Sequence, residues 1–148
     1  MQYHRLAVVL LATACGQEPD LDPREADVVV ESAGLEEATV AATSWWYAAT
    51  RSEVAFNVVD ACSAGHACVR VRYGRLAGDE AGVTKYALGH PEVSDTTVSE
   101  ALDPDLIGIT VAHELGHVLG LAHDDGVMTA VMNDATWTLP SEWTPQAR

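Results

Sequence analysis

Three histidines at positions 113, 117 and 123, with Glu114 after the first and Gly120 between the last two, constrain this chain more than any other feature. Helical residues four apart share a face, so His113 and His117 leave one side of a helix a single turn apart. That spacing lets two neutral imidazole nitrogens meet one zinc ion at about 2.0–2.1 Å. Glycine takes left-handed backbone freely, so Gly120 predicts a helix end and a chain reversal. The reversal brings His123 back as a third ligand. Three protein ligands leave the fourth position of a tetrahedral ion open, which marks a catalytic site rather than a closed structural one. Glu114 can reach a water there without taking a coordination position, and its predicted role is general base.

The surrounding sequence supplies the helix this requires. Asp103-Pro104 reads as an N-cap followed by proline at the first helical position, predicting a helix from about Asp105 to Leu119. Upstream, Val28-Val29-Val30 within Asp27–Glu31 predicts a first strand, and the Ala-rich stretch Leu35 to Ala49 a helix packed on a sheet. Trp45 and Trp46 on that helix read as core and rim packing. Glu53–Asp60 and Cys68–Leu76 alternate as strands, the second more cleanly, and Val83–Leu88 and Thr96–Ala101 are shorter strand candidates. The order is one strand, one helix, several strands and a long helix, a single mixed α+β layer structure.

The chain has 148 residues, enough for one domain. Its net charge of −14 repels phosphate backbones, so nucleic acid is not an expected partner. At the N-terminus Arg5 precedes the apolar run Leu6–Ala14, which is too short to span a bilayer and reads as a signal peptide over residues 1–14. Ala12-Thr13-Ala14 suits ordinary signal cleavage. With Cys15 it also resembles a bacterial lipobox, in which Cys15 carries the lipid. The chain is thus expected to be exported, as an envelope lipoprotein anchored to a membrane or in freely secreted form. Residues 15–26, with Pro19 and Pro23, read as a flexible tether, and 27–148 as the folded domain. Cys62 and Cys68 flank a short loop and are either bridged or free.

The segment HELGHVLGLAH, His113 to His123, matches the extended zinc motif HExxHxxGxxH of the metzincin metallopeptidases. It most resembles the matrixin branch, the matrix metalloproteinases and their small bacterial relatives. The resemblance implies one catalytic zinc per chain at His113, His117 and His123, Glu114 as general base, and hydrolysis of peptide bonds. It also implies a zincin-like fold: a twisted, mostly parallel sheet of about five strands, an N-terminal helix and a long active-site helix. A Met-containing turn should follow the third histidine, for which Met128 and Met132 both qualify, Met132 at the more usual distance. Asn133-Asp134 stands where matrixins commonly have Tyr-Pro, so pocket shape is not carried over. Asp124 resembles the adamalysin branch instead, but the chain is too short and cysteine-poor for that group. No cysteine-containing inhibitory pro-segment fits between Cys15 and the first strand.

Two further metal readings attach to scattered residues. Asp79, Glu80, Asp95, Asp103 and Asp105 could form a calcium cage, though solvated loop acids are the better account of them. His66 and His90 could hold a second zinc or lie on the surface. The expected function is therefore a monomeric zinc endopeptidase acting on protein or peptide. The alternatives are a non-catalytic zinc-binding envelope lipoprotein on the same scaffold and a zinc hydrolase of another substrate. Glu114 separates the first from the second, because a binding module has no physical need of a carboxylate beside the metal.

Overall fold

The computed structural model describes residues 21–87, 90–121 and 123. The expected signal at 1–14, the lipid site at Cys15 and both Met-turn candidates, Met128 and Met132, lie outside them. Seven elements follow in order: β1 (Ala26–Val30), α1 (Glu36–Ala49), β2 (Asn57–Val58), β3 (Ala67–Gly74), β4 (Gly82–Ala87), β5 (His90–Ser99) and α2 (Pro104–Val118). The strands form one sheet in the order β2-β1-β3-β5-β4. β1 runs parallel to β2 and β3, and β3 to β5, whereas β4 pairs antiparallel with β5. The described residues thus form a mixed α+β fold with a five-stranded, mostly parallel sheet and two helices. No helix among the described residues is long and apolar enough to cross a membrane.

Alternation decides which face of the sheet receives the helices. Ala26 and Val28 of β1, Ala67, Val69 and Val71 of β3, and Val98 of β5 are buried in one cluster with Leu35, Ala42, Trp46, Ile109, Val111, Ala112 and Leu115. Burial of the Val, Leu and Ile side chains among them stabilises by about 1.5–3 kcal/mol each. α2 is buried from Ile109 to Gly116 without a break, so it is a central helix covered by the sheet and by α1. Trp46 of α1 donates its indole N–H to the carbonyl of Ala112 at 2.9 Å, fixing one helix against the other. The expected packing role of both tryptophans holds: Trp46 is buried, and Trp45 packs against the core edge-on to it.

The helices and β1, β3 and β4 fall close to their expected bounds. Two strands do not. Glu53–Asp60 contributes only the two residues Asn57 and Val58, both exposed at the sheet's edge. Val54 and Phe56, whose alternation suggested the strand, are buried in the loop before it. β5 runs from His90 to Ser99, much longer than Thr96–Ala101 and ending earlier. Its inward positions Ser94 and Thr96 are polar yet buried, which hides the alternation. The C-terminal end of the expected tether is also structured. Pro23–Glu25 form a 3-10 turn capped by Asp22, and Ala26 is already in β1.

Cys62 and Cys68 are bridged, with Cα atoms 5.7 Å apart, an ordinary separation for a disulfide. The bridge closes a loop over Asp27, the register partner of Cys68. Asp27 is 2% exposed, and its carboxylate accepts the Ser63 amide at 2.7 Å and His66 Nδ1 at 3.3 Å. The Ser63 amide holds the Asp27 carboxyl below the usual range against its own burial, with His66 adding to the amide's effect. A carboxyl depressed in the folded state stabilises fully above its unfolded value, about pH 3.9, and loses that contribution as pH falls through the lower folded value. Urea denaturation of Asp27→Ala is therefore expected to show a loss of about 1–3 kcal/mol at neutral pH, from the orphaned Ser63 amide. The difference from wild type should shrink as pH is taken below about 4. An undiminished difference at low pH would show that charge has no part in it.

Candidate metal centre

The last turn of α2 is built to reverse. Gly120 has φ +81°, and the amides of Gly120 and Leu121 bond back to the carbonyls of His117 (2.9 Å) and Gly116 (3.0 Å). This is the paired cap that a left-handed glycine closes at a helix end, where the sequence placed it. The chain then returns His123 towards the helix. His123 Nε2 lies 3.2 Å from His113 Nε2 and 3.1 Å from His117 Nε2. A tetrahedral ion with nitrogen ligands at about 2.0–2.1 Å has ligand–ligand edges of about 3.3–3.4 Å. Both separations are near what a metal ion needs, and the ligand atoms of the three histidines all lie within 4.8 Å of one another, close enough to hold one.

Tautomer chemistry agrees. His117 Nδ1 lies 2.9 Å from the carbonyl oxygen of Leu121, which can only accept, so Nδ1 carries the proton and Nε2 keeps its lone pair. A backbone acceptor behind a ligating imidazole both aims the ring and raises its basicity. The histidines also differ in exposure: His113 is buried, His117 intermediate and His123 exposed. An ion among them faces protein on one side and solvent on the other. A cleft of about 1050 Å³ opens there, lined by all three histidines and by Gly82, Thr84 and Tyr86 of β4.

Glu114, adjacent to His113, is only 3% exposed and points at β4. Burial pushes its carboxyl up, while the Thr84 hydrogen bond and the imidazoles of His117 and His123 pull it down. Thr84 Oγ1 lies 2.7 Å from Glu114 Oε2. Tyr86 donates its phenol proton to the His117 carbonyl, and burial together with the charge of Glu114 pushes that phenol up. Neither β4 residue is evident from sequence, since Thr84 and Tyr86 read there as ordinary strand formers. The period-two spacing that puts both on one face was the available signal. Gly82 on the same face is also part of the site. A Cβ there would lie 2.7 Å from Glu114 Oε1 and 2.9 Å from both Glu114 Cγ and Thr110 Cγ2.

The other expected ligands do not assemble. Among the described residues, Asp79, Glu80, Asp95, Asp103 and Asp105 contribute to no group of three that could hold an ion. Asp103 instead caps α2 by accepting the Asp105 amide at 3.0 Å. His66 is half-exposed against Asp27, and the side chain of His90 lies outside the described residues. No known family's sequence model matches the chain, and no curated protein matches it.

The close approach at Gly82 has a measurable consequence. Gly82→Ala is expected to destabilise by about 1–3 kcal/mol through overpacking, read by chemical denaturation. In a Glu114→Ala background much of that penalty should vanish, leaving the contact with Thr110. An equal penalty in both backgrounds would show that Glu114 is not what the added methyl meets.

Proposed function

We propose that this chain is a zinc-dependent endopeptidase with a zincin-like fold, similar to the metzincins and most of all to the matrixin branch. The observation that carries the reading is the meeting of three imidazole nitrogens beside a buried carboxylate, at the mouth of an open cleft. Three neutral imidazoles with no thiolate and one free position suit catalytic zinc. When bound, zinc makes a water acidic near neutral pH and polarises a carbonyl.

The chain's own residues do the rest. Glu114 accepts the proton of the water that attacks the carbonyl and passes it to the leaving amine. The antiparallel strand β4 ends the sheet order, and Gly82, Val83, Thr84 and Tyr86 line the cleft. An extended peptide can add to such an edge through main-chain hydrogen bonds, which favours a peptide over a compact substrate. The Cys62–Cys68 bridge suits an oxidising compartment and hence export, to the cell envelope or beyond.

The test pairs metal content with cleavage of a random peptide library, for wild type and Glu114→Ala. One zinc per chain in both proteins is expected, with cleavage by the wild type and a loss of roughly 10²- to 10⁴-fold in the variant. Zinc in both without cleavage by either would favour the non-catalytic module or a non-peptide substrate. A folded wild-type protein that takes up no zinc would sink the reading.

A further inference from the structure

We infer that Thr84 is the positioning residue for Glu114: its hydroxyl engages Oε2 and leaves Oε1 as the oxygen that exchanges protons. The role in turnover rests on the hydrolase reading, whereas the hydrogen bond itself does not. Thr84 Oγ1 has one proton and three oxygens in reach: Glu114 Oε2 at 2.7 Å, Thr96 Oγ1 at 3.0 Å and the Glu114 carbonyl at 3.1 Å. The carboxylate is the nearest and the most strongly negative, so the proton points to Oε2.

Thr96 fixes that direction. It is fully buried and is the register partner of Thr84 across the β4–β5 pair. With the Thr84 proton committed to Glu114, the Thr96 hydroxyl donates to the lone pair of Thr84. The chain Thr96 to Thr84 to Glu114 is then polarised one way, each bond strengthening the next. Oε1 makes no hydrogen bond among the described residues and lies over Gly82, where a Cβ would be 2.7 Å away. One oxygen is tied to the sheet and the other is held in a place cleared by glycine. A carboxylate fixed in this manner cannot rotate out of line with the histidines, which is where a general base gains its advantage.

Thr84→Val keeps the shape and removes the donor, and Thr84→Ser restores the donor without the methyl. Thr84→Ala replaces the valine variant if that one does not fold. The first readout uses the metal-free protein. Infrared difference spectra against Glu114→Gln isolate the Glu114 carboxylate bands, which should shift in Thr84→Val and stay in place in Thr84→Ser. The second is kinetic: kcat should fall roughly 10- to 100-fold in Thr84→Val with KM changed less than about twofold, and Thr84→Ser should recover most of it. Zinc stoichiometry should be the same in all. An unshifted infrared band overturns the hydrogen bond, whatever the activity. A shifted band with wild-type kcat in Thr84→Val overturns the positioning role. If the wild-type protein cleaves no peptide, the endopeptidase reading fails by itself and the infrared result still decides the contact.

Discussion

Burial of the Glu114 carboxyl between α2 and β4 is the constraint on which the rest of the site depends. A buried ionisable group without partners is costly by several kcal/mol, and here the partners must come from an element far away in sequence. Thr84 supplies the hydrogen bond and Gly82 the room. Neither works unless β4 lies flat against the last turns of α2. The contact that satisfies Glu114 thus also sets the distance between the edge strand and the three histidines, and so the width of the cleft.

α2 must in turn be held at a fixed height. From Ile109 to Gly116 it is buried on all sides, and the Trp46 indole reaches across from α1 to the Ala112 carbonyl, one residue before the first histidine. At the other end Gly120 reverses the chain in a single step. The reversal also places the Leu121 carbonyl behind His117, where it selects the tautomer. A residue with a side chain at position 120 would meet no steric obstacle. The requirement is on backbone conformation, where positive φ is strained for anything but glycine.

The sequence made α2, its cap, its stop and the meeting of the three histidines legible because each is local: Asp103-Pro104, Gly120 and the spacing of His113, His117 and His123 act within a few residues. The second tier of the site was not legible. Thr84 meets Thr96 through the β4–β5 pairing and Glu114 through the packing of β4 on α2, separations of 12 and 30 residues. The same polar inward face concealed the length of β5, since Ser94 and Thr96 occupy positions where a strand is usually recognised by apolar residues. The run Glu53–Asp60 failed for the opposite reason. Val54 and Phe56 alternate because they fill the core from a loop, and only Asn57 and Val58 pair with β1.

Antiparallel pairing at β4 explains how so small a domain assembles this tier. In an antiparallel ladder directly opposed residues share a face, so Thr84 meets Thr96 as its partner and both face α2. Along the strand the face repeats every second residue, which puts Gly82, Thr84 and Tyr86 in a row towards the helix. Gly82 makes space for the carboxylate, Thr84 bonds it, and Tyr86 ties the strand to the His117 carbonyl. A one-residue slip would turn all three outward and present Val83 and Lys85 to Glu114. The register irregularity between Tyr86 and Ala87 comes directly after the last of the three. The pairing is thus regular for as long as the site needs it, and breaks only beyond the residue that closes the contact with α2.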